Sequence, residues 1–281
     1  MPGTLYVVAT PIGNLADLSA RAIEVLRSVA VVACEDTRTS RTLLSQHGIA
    51  ARTFALHEHN ERAAGARLIE ALCAGKDVAL ISDAGTPAIS DPGALLVEAA
   101  HRKGLRVVPV PGPSAALAAF SASGFLSGRL VFAGFLPATR AARRKALDEI
   151  DEAAPVAFYE APHRVADTVA DLVARFGPGR EIVIARELTK KFEEIARMRL
   201  GEAEAWLAAG PHRQQGEFVL VLGPGEVRAG DALAEATRVL AVLLDALPAS
   251  EAARLAAKIS GAPRRELYRI ALERKARAGS R

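Results

Sequence analysis

Apolar residues along the first 125 positions recur in two alternating rhythms. Short runs rich in Val, Ile and Leu ("LYVVAT", "AVVACED", "DVALISD" and "RVVPVPG") read as buried strands. Between them, "SARAIEVLRSV", "SRTLLSQHG", "NERAAGARLIEALCAG" and "GALLVEAAHRKG" place apolar residues three and four apart, the spacing of a helix with one buried face. Strand and helix alternating in this way predict a parallel sheet with helices packed on it. Gly48, Gly75 and Gly104 stand where three of these helices should stop, as left-handed C-terminal caps require.

After "GRLVFAGFLP" the rhythm loosens. The strands "PVAFYEA", "EIVIARE" and "EFVLVLG" are separated by longer helical and loop segments, which predicts a second α/β unit. "GPGEVRAGDA", Gly223 to Ala232, reads as a linker. Beyond it "ALAEATRVLAVLLDAL", "PASEAARLAAKIS" and "APRRELYRIALERKARA" are helical. The expected organisation is an N-terminal α/β domain at 1–126, a second α/β domain at 127–228 that closes a cleft over the first, and a basic helical extension at 229–281.

Composition adds bounds to this picture. Of 281 residues, 50% are hydrophobic and 24% charged, the balance of a globular chain with a substantial core. No run approaches the ~18 apolar residues of a membrane span, and the start lacks a basic segment followed by an apolar one. A cytoplasmic protein without a membrane partner is expected. Cys34 and Cys73 stand singly, without zinc-site spacing or a disulfide framework, and both are expected in the core or the cleft. The net charge is only +4, yet from Glu251 to Arg281 nine Lys or Arg face three Asp or Glu, so that end would draw a polyanion.

Three loops of the first domain follow strands and carry proline or small residues where a side chain would obstruct a ligand: "TPIGN" (Thr10 to Asn14), "SDAGTPAISDPG" (Ser82 to Gly93) and "VPGPSAA" (Val110 to Ala116). Such loops line the binding crevice of an open parallel sheet. The chain has no G-x-x-x-x-G-K-[ST] phosphate loop and no G-x-G-x-x-G after its first strand. "PGPSA" sets Ser114 on a turn entering a helix but lacks the second glycine of a nucleophile elbow. What remains is a small, mostly uncharged ligand with an apolar purine, held by backbone groups.

"TPIGNLADLS", "EDTRTS", "SDAGTPAISDPG", "VPGPSA", "GFLP" and "ARELTK", in this order and spacing, resemble the tetrapyrrole methylase superfamily, from about Leu5 to Gly223. The "TPIGNL" and "SDAGTP" versions are similar to a branch that methylates ribosomal RNA rather than porphyrinoid rings. The resemblance implies a two-domain tetrapyrrole-methylase-like α/β fold with a helical C-terminal extension, a homodimer, and S-adenosylmethionine bound between the domains. It also implies 2′-O-methylation of a cytidine in the decoding centre of 16S rRNA, with the 30S ribosomal subunit as partner. The cofactor-binding positions it implies are Pro11, Ile12, Asp83, Ala84, Gly85, Thr86, Ile89, Ser114, Ala115, Glu160 and Leu188. Thr86 departs from the aspartate common at that position, and Asp83 is the neighbouring carboxylate available to compensate.

Methyl transfer to a ribose needs alignment and a route for the hydroxyl proton. Glu35, Asp36 and Arg38 at a strand end, and Lys190 in "RELTKKFEE", are the catalytic candidates, although Glu35 and Arg38 could also simply pair with each other. His57 and His59 in "LHEHNE" lack a third ligand nearby, so no metal is expected, and they are read as RNA-facing. Arg140, Arg143, Arg144 and Lys145 crowd the first turns of a helix, where the dipole disfavours cations unless an anion such as phosphate is the neighbour. In the extension, Arg264 and Arg265 open the second helix of a pattern resembling a helix-turn-helix, with an ordinary helical hairpin as the other reading. Two further functions stay open: a methyltransferase acting on a tetrapyrrole or other small molecule, and a non-catalytic RNA-binding module.

Overall fold

A computed structural model describes residues 1–225 and 229–278. Its first sheet has five strands: β1 (Thr4–Val8), β2 (Val31–Cys34), β3 (Thr53–Ala55), β4 (Val78–Leu80) and β5 (Arg106–Val110). Their order is β3-β2-β4-β1-β5, and every pairing is parallel, as the alternation predicts. Helices α1 (Ala20–Ser28), α2 (Thr37–Gln46), α3 (Glu61–Cys73) and α4 (Ala94–Arg102) connect them, and α5 (Ala115–Ser123) follows β5 toward the second sheet. The strands are apolar on both faces because both faces are covered. Leu5, Leu68, Leu72, Leu80 and Leu96 pack with α3 and α4 on one side. Val8, Leu26, Val32, Leu44 and Ile81 pack with α1 and α2 on the other. Gly48, Gly75 and Gly104 have φ of 63°, 83° and 66°, the left-handed caps expected of them.

The second sheet holds β6 (Val131–Phe135), β7 (Val156–Glu160), β8 (Glu181–Arg186), β9 (Glu194–Arg199) and β10 (Phe218–Leu222) in the order β6-β7-β10-β8-β9. Only β6 and β7 run parallel. Helices α6 (Arg140–Asp148), α7 (Val165–Phe176) and α8 (Ala203–Ala208) cover one face through Leu147, Phe158, Val169, Leu172, Ile182, Ile184 and Leu207. The opposite face receives α5, whose Ala116 and Ala119 lie against Ala157, Val183, Ala185 and Val221. Alanines on both sides let the helix backbone approach the sheet closely. Residues 1–224 thereby form one compact unit containing both sheets.

A separate unit begins at Gly225. It consists of α9 (Ala229–Leu244), α10 (Ala249–Ser260) and α11 (Arg264–Ala278), packed through Leu240, Ala252, Ala253, Ala256, Leu267 and Ala271. Gly261, with φ of 73°, ends α10 and starts the turn into α11. Residues 226–228 of the expected linker lie outside the described residues, and its last part is the start of α9. Among the described residues no helix is long and apolar enough to cross a membrane.

The structure departs from expectation in three places. Strand β3 is three residues long and too short to show a period, and β9 (EIARMR) sets Ile195 and Ala196 side by side among charges and buries none of its residues, so neither is legible as a strand core. Cys34 is buried, but Cys73 is exposed, because Leu68 and Leu72 occupy the sheet-facing stripe of α3. Arg143, expected to face phosphate, is 3% exposed and meets the buried Asp171 carboxylate of α7 at 2.7 Å. Arg140 and Arg144 reach the same carboxylate at 3.2 and 2.8 Å while their side chains stay 67% and 50% exposed. The anion that this helix start requires is therefore supplied by the fold. Lys145 is exposed.

Replacing Asp171 with Ala leaves Arg143 buried without its counter-ion. The expected loss is about 3–5 kcal/mol of unfolding free energy, read from a urea titration of D171A against wild type.

Candidate active site

The carboxyl ends of β1 and β4 lie side by side at the middle of the first sheet, and their loops are joined by an isolated antiparallel bridge. Thr10 N donates to Gly85 O at 2.9 Å, and Gly85 N donates to Thr10 O at 3.1 Å. The buried Thr10 hydroxyl adds a bond to Ser82 O at 3.0 Å. Thr86 Oγ1 donates to Pro113 O at 3.1 Å, tying in the loop after β5. Gly85 has φ of 80°, and a Cβ there would sit 3.3 Å from Ile12 Cγ2, so only glycine fits without strain.

These loops form one wall of a cavity of about 460 Å³, and the second sheet forms the other. Its volume falls in the range of ~300–1,000 Å³ typical of small-ligand sites. Of the implied cofactor positions, Ile12, Asp83, Ala84, Gly85, Thr86, Ile89, Ser114, Ala115, Glu160 and Leu188 line it. Pro11 is buried beneath the turn and does not. Sequence reasoning passed over Ser90, Asp91, Phe135, Tyr159, Ala161 and Pro162, which belong to stretches it had singled out. Glu217, Phe218 and Val219 carried only a strand signal.

Among the described residues, four non-glycine residues have positive φ: Ala88, Ser90, Glu187 and Thr189, at 51–64°. All four belong to the two loops facing each other across the cavity, after β4 and after β8. Such conformations cost about 1–3 kcal/mol each and persist where the surroundings over-determine them, commonly at functional sites.

Four carboxylates, Asp83, Asp91, Glu160 and Glu217, line the cavity, and among the described residues no Lys, Arg or His does. Glu160 is 2% exposed and fully engaged, accepting from Thr168 Oγ1 at 2.6 Å and from Ala161 N at 2.8 Å, with Arg164 beside it at 3.2 Å. Glu217 receives Lys190 Nζ at 2.8 Å. Asp83 accepts the Asp36 N–H at 3.2 Å. Burial, then the Glu35 carboxylate, push the Asp91 carboxyl up to about 6; the Ser82 hydroxyl offsets part of this and Asp83 adds to it. Burial also raises the Tyr159 phenol, whose ring packs edge-on against Phe132 and Phe135.

The four catalytic candidates occupy distinct places. Asp36 caps α2 by accepting the Arg38 N–H, and its carboxyl is held below the usual range by the Arg38 side chain at 3.1 Å. The pair that forms is thus Asp36 with Arg38, not Glu35 with Arg38. Glu35 is raised by burial and then by Asp83, and it is not part of the cavity wall. Lys190 passes over Gly13, where a Cβ would collide with its stem, and its Nζ lies between Glu187 and Glu217 at 2.9 and 2.8 Å. Burial opposes its charge, but the two carboxylates outweigh this and keep it a cation.

His57 and His59 stack edge-on with ring centroids 6.1 Å apart; His57 is half-buried and His59 exposed. No group of three or more His, Cys, Asp or Glu among the described residues is placed to hold a metal ion. In the C-terminal unit Arg264 and Arg265 are exposed at the start of α11, while Leu267 is buried.

Residues 4–204 match the family model described as Tetrapyrrole (Corrin/Porphyrin) Methylases, and residues 230–275 match the one described as RsmI C-terminal HTH domain. The chain is 50% identical over 279 residues to a ribosomal RNA small subunit methyltransferase I of Pseudomonas aeruginosa, spanning 98% of this chain and 99% of that protein. It is 48% identical over 272 residues to one from Escherichia coli O157:H7, spanning 96% and 95%. A solved uroporphyrin-III C-methyl transferase from Thermus thermophilus, complexed with S-adenyl homocysteine, shares the fold at a TM-score of 0.53 and 18% identity, over 80% of this chain and 98% of that one.

The raised Asp91 carboxyl makes a stability prediction. The folded chain binds that proton more tightly than the unfolded chain, so the ionised group destabilises the fold in full above about pH 6, and the penalty shrinks as pH falls from there to the ordinary value of 3.8, below which it is gone. D91N should raise Tm at about pH 7.5 and give no gain below about pH 4, as thermal melts across that range would read.

Proposed function

The chain belongs to the tetrapyrrole methylase family and, within it, to the ribosomal RNA small subunit methyltransferase I group, and from that membership we propose that it methylates the ribose 2′-hydroxyl of a cytidine in the decoding centre of 16S rRNA, with S-adenosylmethionine as donor. The observation that carries the choice of donor is the charge of the cleft. Four carboxylates line it and, among the described residues, no cationic side chain does. Glu160 and Glu217 are met by Arg164 and Lys190 from outside the lining, while Asp83 and Asp91 pair with no cation among the described residues, which suits a ligand bearing a sulfonium and an ammonium and disfavours one bearing a pyrophosphate. Ile12, Leu188 and Val219 offer the apolar surface that a purine needs. Ala84, Gly85, Ser114 and Ala115 are small enough for backbone amides and carbonyls to reach its edges.

S-adenosylmethionine, when bound, supplies a methyl group activated by its positive sulfur. The protein's own contribution is alignment, exclusion of water and handling of one proton. Phe135 and Tyr159 give the cleft an apolar side that sheds water, and Glu160 anchors the start of α7 beneath it. Lys190, held as a cation by Glu187 and by the cavity-lining Glu217, is the charged group available to polarise a hydroxyl.

The RNA reading rests on cations outside the cleft. Arg38, Arg140, Arg144 and Lys145 are exposed on the larger unit, with the His59 ring exposed beside the half-buried His57, and Arg264 and Arg265 are exposed on the C-terminal one. Arg143 no longer belongs to this set. A helix-turn-helix that docks on RNA, a two-domain division of the larger unit, a homodimer and a cytoplasmic location complete the same reading.

Incorporation of labelled methyl into 30S subunits lacking their own modification, compared with naked 16S rRNA and followed by mapping of the product, tests it. The expected product is a 2′-O-methylcytidine in the decoding centre. Cofactor binding without transfer to either RNA would sink the acceptor assignment and move the search to tetrapyrroles. The extension makes its own prediction: an R264A/R265A chain should bind RNA more weakly and lower the slope of log affinity against log salt by about 1–2, measured by fluorescence anisotropy.

A further inference from the structure

Most carboxylates around the cleft already have a partner. Glu160 is engaged by Thr168, Ala161 and Arg164. Glu187 and Glu217 share Lys190, and Asp36 holds Arg38. Glu61 reaches from α3 to accept the amides of Gly93 and Leu95 at 2.8 and 3.0 Å, capping α4. Asp91 lines the cavity and pairs with no cation among the described residues.

Its placement is unusual in two further ways. The preceding residue, Ser90, is held at φ of 64°, and its Oγ would lie 3.1 Å from a Cβ at Gly134 of β6, so the turn carrying Asp91 is pressed against the second sheet. The charged and titratable groups that act on Asp91 are Glu35 at the end of β2 and Asp83 after β4, and Tyr159 of β7 in turn feels its charge. Of the other carboxylates facing this turn, Glu61 of α3 is engaged by the Gly93 and Leu95 amides, and Glu160 across the cleft by Thr168, Ala161 and Arg164. A half-buried carboxylate with anionic neighbours and no counter-ion is costly to keep charged, and it accepts a proton readily.

We propose that Asp91 takes the 2′-hydroxyl proton during methyl transfer, an assignment that rests on reading the site as a ribose methyltransferase. In the step, the ribose oxygen's lone pair forms the new O–CH₃ bond while the S–CH₃ bond breaks and its electron pair stays on sulfur. The O–H proton passes to Asp91 Oδ. A sulfonium, an alcohol and a carboxylate become a thioether, an ether and a carboxylic acid, and Asp91 then releases the proton to water. Its displaced acidity suits this role, because a base that titrates near the working pH is both ionised and able to hold a proton.

The test uses full-length wild type, D91N and D91E. Single-turnover methyl transfer to unmodified 30S subunits is followed from about pH 5 to 9, affinity for S-adenosylhomocysteine is measured by calorimetry, and ligand-free Tm serves as a check on folding. Wild type should lose rate about tenfold per pH unit below an acid-side break. D91N should be about 10²–10⁴-fold slower at neutral pH, lack that break, and lose far less affinity for S-adenosylhomocysteine than it loses rate, with D91E restoring part of the rate. A D91N chain that keeps wild-type rate or the acid-side break overturns the assignment of Asp91 alone. So does a loss of S-adenosylhomocysteine affinity as large as the loss of rate, which would make Asp91 a binding residue. A wild-type chain that forms no 2′-O-methylcytidine overturns the ribose reading and this assignment with it.

Discussion

Two backbone hydrogen bonds between Thr10 and Gly85 hold together the loops that leave the central strands of the first sheet. A parallel sheet delivers the ends of β1 and β4 side by side, but it does not dictate what the chain does next. The bridge does, because each residue donates to and accepts from the other and both loops lose their freedom at that point. Ile12 is then set against Gly85, and Asp83 and Ala84 are set beside them at the rim of the cavity. Thr10 is buried and its hydroxyl is satisfied by Ser82 O, so the joint is shielded from competing water.

The second constraint is the smallness of α5. With Ala116 and Ala119 toward a sheet surface that is itself alanine and valine, the helix lies close against β7, β8 and β10. That contact is what turns a loop cluster into a cleft, since it brings Phe135, Tyr159, Glu160 and Leu188 opposite Asp83, Gly85 and Ser114. Strain collects at the same seam: the residues forced to positive φ sit on both of its sides. The packed layers of Leu, Ile and Phe behind each sheet supply the stability that lets these turns persist.

Charge is sorted across the same surface. Carboxylates gather inside the cleft, while many arginines are satisfied elsewhere by partners of their own, as the Asp171 cluster illustrates. One buried carboxylate met by three guanidiniums lets a helix begin on cations and leaves excess positive charge at the surface. The helix dipole argument correctly required an anion at Arg140–Arg144 but could not say whether it came from a ligand or from α7, which is more than twenty residues away in sequence.

By itself the sequence determined the strand and helix rhythm, the left-handed glycine caps, the ligand-facing loops and the family, because these depend on local conformational preference and on motifs contiguous in the chain. It did not determine β3 or β9, which exist through pairing with neighbours and not through their own period. Nor did it separate Asp36, capped and paired within its own turn, from Asp91, left without a cation by residues distant in sequence. Partnership and burial are properties of what the fold brings alongside a residue. Only the tertiary structure could decide that Arg143 lies inside, that Cys73 lies outside, and that four carboxylates gather in one cleft.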